Sequence, residues 1–293
     1  MLIFIKKIAI LNLHDQFPVA LLCRIAEVDR SNYYKWIKSY VPNKYAEYDK
    51  TLESVFNSAF NTYGYRRLHL AMKTLGFNQN EKFLRSRIKS LNLKCEIRAS
   101  KKKYKVVKEE TYSKNPNYLN QNFKADKPNK LFCQDITYLP TKAGMVYLNV
   151  ILDLYGNRPI VYKSSYFCNS KLAEDSLDEL KKKARNLRNK LIHNDQGVTY
   201  LSKKYISKVK SFNMIRSNSR RGYPFDNACS EHFFSDFKVE KFYRLEYMPE
   251  NKEEIDEIIN EYIDFYLNKR ISLSLGGLTP NQYYDNYIKN KKN

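Results

Sequence analysis

Three acidic residues, spread over about a hundred positions, have the types and settings needed for metal-assisted chemistry. Asp195 stands in IHNDQG, and Glu231 stands in PFDNACSEHFF. Asp135 lies further upstream, inside the apolar, β-branched and aromatic run QDITYLP. Residues this far apart cannot form a local ion-binding loop, so the fold must bring them together. Such a cluster suits two Mg²⁺ ions that hold a phosphodiester for in-line displacement.

Glu231 falls in a helical pattern with one polar and one aromatic side. At 100° per residue, Glu231 and Lys238 share a narrow arc of the helix. Phe233, Phe234 and Phe237 lie on the other side, which we expect to face the core. The helix then presents one carboxylate and one ammonium to the site. Lys238 would contact a DNA phosphate as a point charge. The alternative is that Glu231 and Lys238 are an exposed pair without a function.

The chain is strongly basic for its 293 residues. Its 52 Lys and Arg exceed its 31 Asp and Glu, which gives a formal net charge of +21 and a pI near 9.5. A surplus on this scale indicates a polyanionic partner and salt-sensitive binding. The alternative is a Lys- and Asn-rich protein from an AT-rich genome. Because the charges cluster, we favour nucleic acid as the partner.

Cysteine, histidine and hydropathy patterns exclude several classes of protein. The five cysteines form no CxxC pair and the four histidines have no zinc-ligand spacing, which excludes a zinc-binding module. Unpaired cysteines fit a reducing cytoplasm. Lys6 and Lys7 interrupt the apolar N-terminal run, and no cleavage site with small residues follows it. No stretch reaches the ~18–20 apolar residues that span a bilayer. We expect a cytoplasmic, soluble protein with no membrane partner.

From residue 129 onward the pattern is that of an α/β domain. Strands are predicted at 129–139, 145–154, 159–167, 190–194 and 214–217, with helices at 170–187 and 202–212. This order predicts an RNase H-like fold, a mixed five-stranded sheet with flanking helices. Asp135 would lie inside the first strand and Asp195 just beyond the fourth, on adjacent central strands. Active sites of open α/β sheets lie at such strand ends.

Small all-α, helix-turn-helix modules precede this sheet. A helix over 80–91 begins at Asn80 as its N-cap and carries basic side chains outside an apolar stripe. We expect it to contact DNA, the alternative being a solvated basic face. Residues 97–108 are interpreted as a basic arm along phosphates. Further helices are predicted at 17–39 (two, Ser31 being a possible N-cap of the second), 45–60 and 65–75. The predicted DNA contacts here are Lys82, Arg85, Arg87, Lys89, Lys101, Lys102 and Lys103.

The expected organisation has five segments. They are an N-terminal helical, helix-turn-helix-like segment (1–43), a helix-turn-helix-like DNA-binding domain (44–96), a basic linker (97–128), the RNase H-like catalytic core (129–245) and its C-terminal helical extension (246–293).

Other polar residues of the core receive mostly structural interpretations. Asp153 would organise the turn to Arg158 rather than bind metal. His193 either orients a phosphate or is a hydrogen-bonded structural residue. Asp226 and Asn227 would cap the helix that follows them.

Two basic runs flank these core elements. The run 181–190 is interpreted as solvated surface. Arg220 and Arg221 stand in a Gly-containing loop just before Glu231. Loops of this kind often hold the nucleic acid over an active site, so we expect both arginines to contact DNA.

Five sequence blocks resemble a known family. In chain order they are LFCQDITYLP, MVYLNVILDLYGNRPIV, LIHNDQGVTYLS, SNSRRGYPFDNACSEHFFSDFKVE and YLNKRISLSLGGLTPNQYY. Block by block they resemble the catalytic half of the OrfB transposases of the IS-three family of bacterial insertion sequences. That family has a DDE core like that of retroviral integrases. The resemblance covers roughly 129–284 and extends more weakly back to residue 17. Departures occur at Phe132, Asn194 and Leu267, where the family often has Trp, Ser and Asn.

The resemblance places the metal-binding carboxylates on Asp135, Asp195 and Glu231, and a lysine of the family on Lys238. It implies a transposase that binds element ends, frees 3′-hydroxyls and joins them to target DNA with Mg²⁺, for which Mn²⁺ substitutes. A homo-oligomer on DNA and a separate OrfA product are implied partners.

Two other functions are alternatives to transposition. They are a catalytically inactive helix-turn-helix DNA-binding regulator and an RNase H-like nuclease. The intact carboxylate set argues against the regulator, while the helical modules and Lys238 argue against the nuclease.

Overall fold

The fold was taken from a computed structural model, which describes residues 2–40, 45–95, 97, 116–220 and 223–292. The chain forms two compact units, Met1–Ser54 and Val55–Asn293. The five-segment organisation expected from the sequence stays a prediction. No helix in the described part of the chain is long and apolar enough to cross a membrane.

The first unit contains helices α1 (Leu2–Leu13), α2 (Val19–Ile25) and α3 (Arg30–Tyr40). Its core is formed by Ile10, Leu22, Cys23, Val28 and Tyr33. The two helices predicted over residues 17–39 are confirmed. Helix α1 was not predicted, because apolar residues surround it instead of forming one stripe.

Asp29, and not Ser31, caps α3. The Asp29 Oδ1 accepts hydrogen bonds from the Asn32 backbone N–H at 2.8 Å and from the Ser31 hydroxyl at 2.7 Å. The predicted cap was wrong because the helix begins earlier, at Arg30, so that Ser31 lies inside its first turn.

Helix α4 (Ala46–Ser58) is followed, in the second unit, by α5 (Tyr65–Thr74) and α6 (Glu81–Ser90). Gly76 lies just beyond α5 with a φ of +92°, a conformation that favours glycine. The Asn80 side chain accepts the Phe83 N–H at 2.8 Å, so the predicted cap of α6 is confirmed. Leu84 is buried in the inner face of α6.

The sheet comprises β1 (Leu131–Thr141), β2 (Gly144–Asp153), β3 (Arg158–Ser165), β4 (Leu191–Asn194) and β5 (Ile215–Asn218). Its order is β3-β2-β1-β4-β5. The first three strands form an antiparallel meander, and β4 and β5 run parallel to β1. The predicted mixed five-stranded sheet is confirmed. Both ends of every strand lie within two residues of their predicted positions.

Helices lie on both faces of the sheet. On one face, α7 (Ser170–Ala184) and α9 (Lys203–Ser211) share an apolar core with the strands. That core includes Phe132, Ile151, Val161, Leu177, Ile192 and Val209. A short helix, α8 (Val198–Leu201), precedes α9 and was not predicted. The lysines of α7 in the run 181–190 are exposed, as expected of a solvated surface.

The chain then forms α10 (Ala228–Glu240), α11 (Lys252–Asn268) and α12 (Pro280–Lys292). Helix α10 contacts β1, and α11 contacts β3. A short 3₁₀ helix, Pro224–Asn227, leads directly into α10.

The segment around α5 is docked on the C-terminal part of its own unit. The Tyr63 hydroxyl accepts the Ile271 backbone N–H at 2.8 Å and lies 3.3 Å from the Lys269 carbonyl oxygen. Leu70 packs so closely on Gly277 that a Cβ at position 277 would lie 2.4 Å from Leu70 Cδ2. Helix α5 and residues 269–277 therefore form one packed arrangement.

Replacing Gly277 tests this docking. Gly276 and Gly277 both have positive φ, +68° and +88°, but a Cβ at Gly276 meets nothing within 4 Å. Gly277→Ala should lower the free energy of unfolding by about 1–3 kcal/mol more than the control Gly276→Ala, because only the former overpacks Leu70. The measurement is urea unfolding. Adding Leu70→Ala should recover part of the loss at position 277 alone, and equal losses in the two glycine variants would contradict the docking.

Candidate active site

The parallel pairing of β1 with β4 brings two of the three carboxylates together. Leu131 pairs with Leu191, and Cys133 pairs with His193, a constant offset of sixty residues. Asp135 and Asp195 lie two residues beyond the last of these pairs, at the same offset. The predicted adjacency of the two strands is thus confirmed.

Each aspartate is held by hydrogen bonds to its carboxylate. Asp135 accepts the Ile136 backbone N–H at Oδ1 and the Asn227 Nδ2 at Oδ2, both at 2.8 Å. Asp195 Oδ1 accepts the Gly197 N–H at 2.8 Å. A Cβ at position 197 would lie 2.9 Å from that oxygen, so glycine permits the tight turn after β4. Both carboxyl groups are half-buried and oriented.

The electrostatics of the pair indicate an affinity for cations. Burial, followed by the neighbouring Asp195 carboxylate, raises the pKa of Asp135 from 3.8 to about 7, and Glu231 adds a smaller effect of the same sign. Like charges this close disfavour ionisation. A cation between them would remove the repulsion, and carboxylate oxygens are the hard donors that Mg²⁺ prefers. The two aspartates therefore fit a divalent metal ion.

Glu231 lies in the first turn of α10, on the side that the sequence predicts. Phe233, Phe234 and Phe237 are buried as expected, while the Glu231 side chain is exposed. Partial burial raises the pKa of Glu231. Within the described ranges, no group of three or more His, Cys, Asp or Glu side chains is arranged to hold a metal ion. The aspartates are gathered, and Glu231 must approach them before three carboxylates can share an ion.

Asn227 has a contact that the sequence did not predict. Its side chain donates to Asp135 and makes no capping hydrogen bond in α10. The predicted capping role was wrong because the 3₁₀ helix Pro224–Asn227 runs straight into α10. No local pattern signals this bond, since its partners are 92 residues apart.

Asp226 does not cap α10 either. It is fully buried and pairs with Arg220, whose Nε lies 2.9 Å from Asp226 Oδ2. Gln121 and Asn117 donate to the same carboxylate at 2.9 and 2.8 Å. Burial alone would raise the pKa of Asp226, but the hydrogen bonds from Arg220 hold it well below its usual range. The carboxylate anchors residues 117–121 and the loop before α10.

The cations proposed to bind DNA lie in different settings. Arg220 is engaged by Asp226, and its guanidinium lies 4.4 Å from the Tyr223 ring centroid. Lys238 Nζ lies 4.6 Å from the Tyr138 ring centroid. Arg85 lies over the Tyr65 ring at 3.8 Å. Lys82 and Lys89 are exposed on α6, and Arg87 is half-buried there. Outside the described residues lie Arg221, Lys101, Lys102 and Lys103.

His193 is a structural residue. It is fully buried, with Nδ1 2.9 Å from the Ser217 hydroxyl and Nε2 3.0 Å from the Ser219 hydroxyl. Burial lowers the pKa of His193 to about 4, so the ring is neutral at pH 7. Of the two interpretations left open by the sequence, the geometry favours the structural one.

Asp153 organises the turn after β2. Its two carboxylate oxygens accept the backbone N–H groups of Asn129 at 2.9 Å and Tyr155 at 3.0 Å. Burial raises the pKa of Asp153 to about 6. The guanidinium of Arg158 lies over the Tyr284 ring at 4.0 Å. These contacts agree with the predicted structural role of Asp153.

Comparison with known proteins identifies the family. Two models described as integrase core domain match residues 125–224 and 231–287. InsK of insertion sequence element IS150 from Escherichia coli K12, named as a transposase, is 34% identical over 273 residues, covering 93% of this chain and 95% of InsK. The chain belongs to the IS-three family of transposases. It is a DNA transposase and a polynucleotidyl transferase, with the integrase-like core expected from its sequence blocks.

Further relatives extend the comparison. Transposase InsF of insertion sequence IS3A from Escherichia coli K12 is 29% identical over 276 residues, covering 92% of this transposase and 94% of InsF. Among solved structures, the HTLV-2 integrase catalytic core domain in complex with magnesium is 16% identical, with a TM-score of 0.42, and the match covers 55% of this chain and 99% of that one.

Asp153→Asn should leave the chemistry intact and weaken the fold. Asparagine can accept only one of the two backbone N–H groups, so unfolding should become easier by about 1–3 kcal/mol near pH 5. Because the folded-state pKa is raised, the carboxyl stabilises the wild type most below pH 4, and this contribution is lost as the pH rises through 6. The stability difference should therefore narrow towards pH 8. Thermal unfolding of both proteins across this pH range measures it.

Cleavage of labelled DNA at a temperature where both proteins are folded provides the second measurement. We expect Asp153→Asn to retain activity within about tenfold of the wild type, because the amide keeps one of the two turn contacts. A folded variant as inactive as one lacking Asp135 would assign Asp153 to the active site.

Proposed function

We propose that Asp135, Asp195 and Glu231 form the catalytic centre at which this transposase nicks the ends of its insertion sequence and joins the freed 3′-hydroxyls to target DNA. The observation that carries the proposal is the aspartate pair, held side by side by parallel strands with the pKa of Asp135 raised to about 7. Two neighbouring carboxyl groups with a raised pKa are energetically unfavourable in a protein, and such groups cluster at functional sites.

The three carboxylates would hold Mg²⁺, for which Mn²⁺ can substitute; the family depends on divalent metal ions. When bound, the metal supplies activation of the attacking oxygen and stabilisation of the leaving oxygen. Asp135 and Asp195 are already oriented by Ile136, Asn227 and Gly197. The Asn227 contact and the buried phenylalanines hold α10 in place. Only the side chain of Glu231 would therefore have to move to join the two aspartates. No covalent nucleophile from the protein is required.

DNA is proposed to bind along α6 and at the end of α10. The exposed side chains of Lys82 and Lys89, with Arg85, would contact phosphates of the element ends, as would the arm that contains Lys101, Lys102 and Lys103. Lys238, two turns beyond Glu231, would contact a phosphate near the site. Arg220 would contribute to DNA binding chiefly by shaping the loop before α10. Arg221 would contact the sugar-phosphate backbone of the DNA. Phosphate contacts of this kind position the duplex without reading its sequence.

Partners beyond DNA are also proposals. A homo-oligomer would allow two element ends to be processed together, and an OrfA product would add further DNA-binding elements. The five free cysteines fit a reducing cytoplasm as the compartment. No observation favours the catalytically inactive DNA-binding regulator or the RNase H-like nuclease.

Glu231→Gln tests the catalytic centre. The change keeps the helix and the side-chain length but replaces an anionic ligand by a neutral amide. Nicking and strand transfer should both fall by at least about a hundredfold, because one centre serves both steps. Binding to end DNA should be unchanged. The measurements are cleavage and joining of labelled end DNA in Mg²⁺ and in Mn²⁺, with binding followed by gel shift.

Glu253→Gln is the matched control, because Glu253 is also exposed and lies in the first turn of α11. It should cleave like the wild type. If Glu231→Gln cleaved at the wild-type rate as well, Glu231 would not belong to the catalytic centre.

Lys82→Ala with Lys89→Ala tests the DNA contact of α6 in the full-length chain. Each lost phosphate contact should reduce the slope of log affinity against log salt by about 0.9. Affinity should fall similarly for specific and unrelated sequences. The control is Lys289→Ala with Lys291→Ala, two exposed lysines of α12. Equal salt slopes for the two double variants would remove α6 from the DNA-binding surface.

A further inference from the structure

Three fully buried polar side chains meet directly beneath the aspartate pair. They are Gln134 of β1, Asn194 of β4 and Tyr205 of α9, each with no exposed surface. Gln134 immediately precedes Asp135, and Asn194 immediately precedes Asp195. Because side chains alternate along a strand, Gln134 points to the face covered by α9 while Asp135 points to the face covered by α10.

The three side chains form a triangle of polar contacts, in which the single proton of the Tyr205 hydroxyl can be donated to one of two acceptor oxygens. The Tyr205 hydroxyl lies 2.6 Å from Gln134 Oε1 and 3.0 Å from Asn194 Oδ1. Asn194 Nδ2 lies 3.3 Å from the Gln134 carbonyl oxygen and 3.4 Å from Gln134 Oε1. Gln134 Nε2 in turn donates to Asn149 Oδ1 of β2 at 3.2 Å and to the Ala173 carbonyl of α7 at 3.3 Å. The triangle is therefore anchored to the neighbouring strand and helix.

The position of this triangle matters because the β1–β4 strand pairing stops just before it. The last paired residues of β1 and β4 are Cys133 and His193. One step further stand Gln134 and Asn194, and the next step is the aspartate pair. The side-chain bonds thus connect β1 and β4 just beyond the point where their backbone pairing ends.

The triangle can hold the two strand ends at a fixed distance. Because Gln134 and Asn194 directly precede the two aspartates, any change in their separation also moves Asp135 and Asp195. Hydrogen bonds are stronger in the low dielectric of the interior, so these contacts hold the two strand ends firmly. Apolar side chains could fill the same volume, but they would not fix the direction of either strand end.

We propose that Gln134, Asn194 and Tyr205 form a clamp that sets the separation of Asp135 and Asp195, with Tyr205 as a positioning residue for the metal-dependent reaction. This inference rests on the proposed function of the aspartates. Tyr205 touches neither carboxylate in the described hydrogen bonds. It acts through the two residues that precede them in the chain.

The chain offers a matched control for Tyr205. Tyr200 of α8 is buried, and its ring lies against that of Tyr205 with centroids 5.3 Å apart. The Tyr200 hydroxyl has no hydrogen-bond partner among the described residues. Tyr200→Phe and Tyr205→Phe therefore make the same chemical change at adjoining buried rings, and only the second removes a bond of the clamp.

The experiment measures how each full-length variant responds to Mn²⁺ and Mg²⁺. One readout is the metal concentration that gives half of the metal-induced rise in melting temperature, and the other is the concentration that gives half-maximal cleavage of end DNA. For Tyr205→Phe both concentrations should rise by about tenfold or more, as for partners that orient metal ligands. Saturating metal should restore most of the cleavage rate. Affinity for end DNA should not change. Tyr200→Phe, which removes no bond of the clamp, should shift both metal concentrations far less than Tyr205→Phe does.

A purely structural role for Tyr205 predicts a different result. The melting temperature without metal would fall, but both metal concentrations would stay at the wild-type value, and this outcome overturns the clamp. If Tyr205→Phe does not fold, Asn194→Ser replaces it, because serine is small and polar but too short to keep both bonds. An unchanged metal requirement in that variant also overturns the clamp.

The wild type separates failure of the clamp from failure of the proposed function. A wild-type protein without metal-dependent cleavage or a metal-induced rise in melting temperature would contradict the catalytic centre itself. A wild type with both responses, beside a Tyr205→Phe variant with the same metal requirement, contradicts the clamp alone.

Discussion

The placement of two acidic side chains beside each other is the constraint on which the proposed catalytic centre of this transposase depends. Asp135 and Asp195 lie together only because β1 and β4 pair in parallel at a fixed offset, and nothing in the pair itself favours that proximity without a cation. Two sets of hydrogen bonds, one on each face of β1, hold the two aspartates in place. Asn227 reaches Asp135 from the α10 side, while the Gln134 network joins the same strands from the α9 side. Placing β1 at the centre of the sheet makes both attachments possible.

Much of this arrangement could be predicted from the chain alone. Alternating and continuous apolar runs located all five strands, because a half-buried or buried strand leaves a periodic signal in its residues. The three phenylalanines of α10 likewise fixed which side of that helix faces the core. With the strand order, these signals were enough to place Asp135 and Asp195 on neighbouring strands. The proposed approach of Glu231 to them would involve one side chain, and sequence periodicity holds no information about it.

Residues with distant partners could not be assigned in this way. Asp226 and Asn227 have the types and spacing of helix caps, yet Asp226 pairs with Arg220 and Asn227 bonds Asp135. Local capping rules describe residues three or four positions apart and are silent about a donor 92 positions away. The burial of polar residues such as Gln134 and Asn194 could not be predicted either, because residues of these types are usually exposed.

The contacts of Tyr63 with residues 269–271, and of Leu70 with Gly277, have a consequence for how such proteins diversify. The helical segment proposed to bind DNA cannot be exchanged freely for that of another element, because its inner surface must match a C-terminal stretch about two hundred positions away. Recombination between related elements would then yield working hybrids only when both stretches descend from the same parent. The helical segment and the C-terminal stretch should therefore be inherited together, as a linked pair.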